Sequence, residues 1–254
     1  KKESIRISSS MKAVQYELAT DTFSLPGNAT IPVPGPEEIR VKVLATSLNP
    51  VDAKIKYWKA SLAPSITHIT LGLDVCGIVE EVGSEVNNFA KGDYVLYHGR
   101  MLTQNGGFAE YAIHDAFTTV NLGKTLSLDP VVLAATPCAA WTAYRALFDK
   151  LRVPAIAASS TGSVQDDRTL CVIGASGGVG SFAVQLARLA GVKREIGVCS
   201  TKNVEHVRLL GAHDVIDYKQ ESSIHDALQR LTNGEGIEMI LDCVGSETTN
   251  NAIR

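Results

Sequence analysis

The chain has 254 residues, 45% of them hydrophobic and 20% charged, with a formal net charge of -3. That length suits two ordinary domains, and mild acidity without a Lys/Arg stripe interleaved with aromatics excludes a nucleic-acid footprint. No apolar run approaches the ~20 residues of a membrane helix and residues 1–10 lack a signal-peptide core, so a cytoplasmic protein with small-molecule partners is expected.

From Met11 to about Thr136 the pattern predicts short strands broken by Gly and Pro. Residues 39–43 alternate apolar and charged side chains, the period of a half-exposed strand. Residues 75–82 and 93–97 continue in that style, joined through the turn-type sequence Lys91-Gly92-Asp93. A helix is predicted over 128–148, followed by a small, polar surface loop from Pro154 that ends in Asp166 and Asp167.

Beyond the loop, strands are predicted at 170–174, 195–199, 214–218 and 238–243, with helices at 179–190, 203–210 and 222–231 between them. Such alternation implies a parallel sheet with helical crossovers. A doubly wound dinucleotide fold usually has about six strands. Further C-terminal strands are therefore expected after Arg254. The cysteines at 76, 138, 171, 199 and 243 show no CxxC spacing, and the four inside apolar strand-like runs read as buried, reduced thiols.

The stretch Ala175-Ser176-Gly177-Gly178-Val179-Gly180 follows an apolar strand and opens a helix. A dinucleotide needs glycines there, because the strand must turn tightly into a helix whose first N–H groups face the pyrophosphate. Gly177 would let the backbone approach the phosphates and Gly180 would let the helix pack on the strand, with Ala175 in place of the usual first glycine. A plain tight turn would also use such glycines.

At the end of the second strand, where a carboxylate would bind the ribose of NAD, the chain reads Cys199-Ser200-Thr201-Lys202. Two hydroxyls and an ammonium suit the 2′-phosphate of NADPH. Ser200 or Thr201 could instead cap the next helix.

The chain resembles the zinc-independent quinone oxidoreductases of the medium-chain dehydrogenase/reductase superfamily, from about Met11 to Arg254. The residues that carry the resemblance are Ser47-Leu-Asn-Pro-Val-Asp-Ala-Lys54, Gly72-Leu-Asp-Val-Cys-Gly-Ile-Val-Glu-Glu-Val-Gly83, Lys91-Gly-Asp-Tyr-Val95, Gly106-Gly-Phe-Ala-Glu-Tyr111, Pro137-Cys-Ala-Ala-Trp-Thr-Ala-Tyr144 and the glycine loop. It implies an α/β fold with a GroES-like β-rich catalytic domain over 11–136 and a Rossmann NADPH-binding domain over 137–254. It also implies a C-terminal return to the catalytic domain and, in the full-length protein, a homodimer.

Zinc-containing relatives draw a Cys, a His and a second Cys from motifs that read Asn49, Leu73 and Cys138 here. One thiolate does not make a three-ligand zinc site, so no metal is expected. Without a Lewis acid, alcohol oxidation is unfavourable, while hydride transfer to a quinone or an α,β-unsaturated carbonyl stays feasible.

The resemblance places Asn49, Asp52, Lys54 and Tyr57 in the catalytic segment. Asn49 is expected to donate a hydrogen bond, Lys54 to hold a ribose or an enolate, and Asp52 to orient the loop. Lys54 also reads as a solvated lysine. Thr142 would contact the nicotinamide end, and Tyr57 and Tyr218 would line the substrate cleft and adenine pocket or simply pack. His98 is the one histidine placed near the cleft.

Two other functions stay open at this level: a trans-acting enoyl reductase on carrier-bound thioesters, and a non-catalytic NADPH-binding protein.

Overall fold

A computed structural model of the chain describes residues 10–54, 57–58, 65–101, 104–154 and 166–245. The chain divides into two compact units, Lys1–Cys138 and Ala139–Arg254.

The first unit holds β1 (Ser10–Met11), β2 (Gln15–Glu17), β3 (Thr22–Ser24), β4 (Ala29–Thr30), β5 (Glu38–Ser47), helix α1 (Pro50–Lys54), β6 (His68–Thr70), β7 (Asp74–Val82), β8 (Tyr94–His98), β9 (Tyr111–Asp115) and β10 (Val120–Gly123). Its main sheet has the order β10-β8-β7-β5-β9, with every pair antiparallel. The alternation expected over 39–43 is present: Ile39 and Val41 of β5 are fully buried. They pack with Val75, Val79, Val95 and Tyr97 in one core, where each aliphatic side chain contributes on the order of 1.5–3 kcal/mol by leaving water.

Register places the chemistry of this unit. Ser47 at the end of β5 and His98 at the end of β8 are both cross-strand partners of Asp74, the first residue of β7. A carboxylate thus starts the central strand, between two polar neighbours.

The helix predicted over 128–148 is divided. It consists of α2 (Pro130–Ala134), α3 (Pro137–Tyr144) and a π-helical turn at Arg145–Lys150. Pro137 supplies the physical reason, because a proline inside a helix has no N–H to donate and clashes with the preceding turn. Asp129 caps α2 through the Val131 N–H at 2.7 Å.

The second unit is a parallel sheet of order β13-β12-β11-β14, formed by β11 (Asp166–Ile173), β12 (Val192–Cys199), β13 (Asp214–Asp217) and β14 (Met239–Asp242). Between them lie α4 (Gly178–Leu189), α5 (Val204–Leu209) and α6 (Ile224–Leu231). Alternate residues of β11 enter different cores. Leu170 and Val172 pack with Ala183, Val184 and Ala187 of α4, whereas Cys171 and Ile173 pack with Ala227 and Leu228 of α6. A strand covered on both faces reads as a continuous apolar run.

Residues 166–169, expected to close a loop and lead into the strand, already belong to β11. Buried Asp166 is stabilised there by Arg168, which also donates to the Leu151 and Arg152 carbonyls. The rest of the predicted loop, 155–165, lies outside the described residues. Among the described residues, no helix is long and apolar enough to cross a membrane.

Candidate functional site

In the first unit a polar cluster gathers around Asp74, which is fully buried. Its Oδ2 accepts from Ser47 Oγ at 2.8 Å and from Asn49 Nδ2 at 2.9 Å. Its Oδ1 accepts from the Cys138 backbone N–H at 2.8 Å. A buried carboxylate needs several donors to offset its lost hydration, and here three are supplied.

Asn49 departs from the role expected of it. Its amide nitrogen carries two hydrogens, and they are directed to Asp74 at 2.9 Å and Ser47 Oγ at 3.2 Å. The donor capacity expected for a ligand is therefore used inside the unit. What Asn49 can present is its carbonyl oxygen, an acceptor.

Asn49 precedes α1, Pro50 starts it, and Asp52 Oδ2 accepts from the Asn49 backbone N–H at 2.8 Å, the reach-back half of a capping box. Burial raises the Asp52 carboxyl above its ordinary value, against the lowering effect of the Asn49 and Gly72 N–H bonds. Nearby Asp74 pushes it further up and His98 pulls it down. Lys54 and Tyr57 are exposed.

The donor set at these positions does not fit a zinc ion. Leu73 offers no donor and is buried, Asn49 is tied to Asp74, and Cys138 alone supplies sulfur, whereas a catalytic zinc takes three protein ligands. Among the described residues, no group of three or more His, Cys, Asp or Glu is arranged to hold a metal.

In the second unit the glycine loop joins β11 to α4. The tight turn is made by Gly174 at φ +79°, so Ala175 needs no special conformation and lies fully buried under the sheet end. A Cβ on Gly180 would sit 2.2 Å from the Gly174 carbonyl oxygen, so only glycine lets α4 start this close to the strand. Gly177 and Gly178 are exposed. The first N–H groups of a helix have no carbonyl one turn back, and those of Gly178, Val179 and Gly180 open α4. This cradle fits the pyrophosphate of a dinucleotide, whose charge the helix dipole favours.

Thr142 is an exposed residue of α3, one turn on from Ala139. A Cβ added to Gly178 would touch the Ala139 methyl at 3.5 Å, so α3 runs beside the cradle.

At the end of β12, Ser200 precedes a 3-10 turn, Thr201–Asn203, but its side chain makes no capping bond. Thr201 and Lys202 are exposed. The Tyr218 N–H bonds to the Cys199 carbonyl at 3.1 Å, which holds Tyr218 beside this turn. The Lys219 ammonium lies 5.3 Å from the centre of the Tyr218 ring. A carboxylate does come near: Asp217 is the cross-strand partner of Cys199. Its Oδ1 accepts from the Lys219 backbone N–H at 2.9 Å.

Sequence reasoning missed Ser47, Asp74, Asn203, Asp217 and Lys219. A signal existed for Asp74, since a carboxylate inside the apolar run from Leu71 to Val79 demands buried donors. Asn203 donates to Ser176 Oγ at 3.0 Å and Ser200 Oγ at 3.3 Å, a link across 27 residues with no sequence signature.

Residues 35–124 match the family model described as alcohol dehydrogenase GroES-like domain, and residues 178–254 match the one described as zinc-binding dehydrogenase. The chain is 35% identical over 239 residues to the chloroplast envelope quinone oxidoreductase homolog of Arabidopsis thaliana, covering 92% of this chain and 68% of that protein. It is 32% identical over 232 residues to the quinone oxidoreductase of Lama guanicoe, covering 91% of this chain and 64% of that one. Among solved structures, an alcohol dehydrogenase superfamily protein from Novosphingobium aromaticivorans superposes with a TM-score of 0.79 at 30% identity, covering 96% of this chain and 68% of that one. The chain thus spans about two thirds of the length of the curated relatives it matches.

Proposed function

We propose, on the premise that this chain belongs to the quinone oxidoreductases of the medium-chain dehydrogenase/reductase superfamily, that it serves an NADPH-dependent reductase of quinones or α,β-unsaturated carbonyls. The observation that carries the reading is the Asn49 amide, tied to Asp74 and Ser47 where a metal ligand would otherwise stand. Without a Lewis acid, acceptors that delocalise charge onto their own oxygen are favoured.

When bound, NADPH supplies a hydride, and one proton completes reduction of the acceptor. The N–H groups that open α4 bind the pyrophosphate, and Gly177 and Gly178 admit it closely. Ser200, Thr201 and Lys202 favour a 2′-phosphate over a bare hydroxyl, with Tyr218 beside the adenine. Asn49 orients its partner through the carbonyl oxygen, and Lys54 and Tyr57 face the acceptor.

The experiment is NADPH oxidation by the full-length protein with small quinones, with 2-enals and 2-enones, and with coenzyme A thioesters. Turnover of quinones or enones supports the reading. Turnover of thioesters alone moves the function to an enoyl reductase, and tight NADPH binding without turnover moves it to a binding protein.

A further inference from the structure

We propose that Asn203 is a specificity-determining residue: it aims the hydroxyls of Ser176 and Ser200 at the phosphates of NADPH. The inference rests on the reading that the second unit binds NADPH, and it adds a residue to that reading.

A serine hydroxyl has one hydrogen to donate and can accept through its oxygen. Asn203 is half-buried at the end of the 3-10 turn, fixed by its own N–H to the Ser200 carbonyl at 2.8 Å. Its amide nitrogen donates to both serine oxygens, at 3.0 and 3.3 Å. Each hydroxyl, accepting from Asn203, must turn its own hydrogen elsewhere. The Ser200 oxygen accepts no capping N–H from the turn, so the Asn203 amide does not compete with a cap for it.

Both serines stand at the carboxyl end of the sheet. Ser176 lies in the glycine loop after β11, and Ser200 follows β12. The two loops are bound together there, because the Gly174 and Ala175 N–H groups both donate to the Val198 carbonyl at 3.0 Å. A single amide therefore spans the pyrophosphate loop and the loop that would meet the 2′-phosphate. It makes both hydroxyls donors, the polarity an anion requires. An acceptor at position 203 would turn both hydrogens inward.

Asn203→Asp is nearly isosteric and reverses that polarity, while Asn203→Ala removes the amide without adding charge. Calorimetric titration with NADPH and with NADH, beside a thermal melt of each protein, reads the effect without turnover. The expected result is about tenfold or greater weakening of NADPH in Asn203→Asp, a smaller loss in Asn203→Ala, and in each a lesser change for NADH. Unchanged NADPH affinity in both variants, or equal losses for the two cofactors, would overturn the proposal. If Asn203→Asp does not fold, Asn203→Ala decides by the same comparison. A wild-type protein that binds neither cofactor overturns the NADPH reading, and this inference with it.

Discussion

Asp74 accepts a hydrogen bond from the side-chain amide of Asn49 at 2.9 Å, and this contact decides which end of that amide is left for a ligand. Removing the carboxylate should therefore act on both stability and the site. Asp74→Ala strands three donors in a buried pocket and is expected to cost ~3 kcal/mol or more, whereas Asp74→Asn keeps one acceptor oxygen and costs ~1–2 kcal/mol. Urea unfolding of the three proteins checks the order. Equal stability of Asp74→Ala and the wild type would refute the donor count.

The two exposed glycines of the cradle and the buried one should separate binding from folding. Gly180→Ala forces a Cβ against the Gly174 carbonyl oxygen at 2.2 Å and is expected to cost ~2 kcal/mol or more of stability. Gly177→Ala meets only the same oxygen at 3.3 Å, so the fold should persist while NADPH weakens. Thermal melts with and without NADPH distinguish them.

Much of this fold was legible because strand periodicity and the glycine loop are local signals. Ile39 and Val41 announced β5, and the apolar run from Leu170 to Ile173 announced β11. The divided helix was misread because Pro137 sits inside an otherwise helical apolar pattern. Asn49 and Asp52 stand out in the sequence by residue type, but the direction of the Asn49 amide does not. That direction depends on Asp74, which is 25 residues away in sequence and is brought there by the pairing of Ser47 with Asp74. Asp217 was missed likewise, because only β13 pairing with β12 carries it beside Cys199.

Lys202 is exposed at the end of β12, so its charge is available to a 2′-phosphate. Lys202→Glu is expected to weaken NADPH by ~10-fold or more while NADH changes far less. Binding titrations with both cofactors check this. Equal loss for both would show that Lys202 does not read the 2′-phosphate.

The first unit carries its own acid sensitivity. His114 is buried against Tyr97, with ring centroids 4.3 Å apart, and burial is the main cause that lowers its pKa from 6.5 to about 4. Its contribution is fully present above the ordinary value and is lost as pH falls toward about 4, because only the unfolded chain takes up the proton in that window. The loss is on the order of 3 kcal/mol at most. His114→Phe keeps an aromatic partner for Tyr97 and should flatten stability across that window. Denaturant midpoints near neutral pH and at about pH 5 test it, and an unchanged slope would exclude His114 as the source.

The proposed activity is hydride transfer without a metal. Its most direct measurement follows the near-ultraviolet absorbance of NADPH when the full-length protein, dialysed against a chelator, is mixed with a panel of small quinones and enones. The prediction is steady NADPH oxidation that added zinc does not increase. No loss of absorbance with any acceptor, or activity that appears only when zinc is restored, would contradict it.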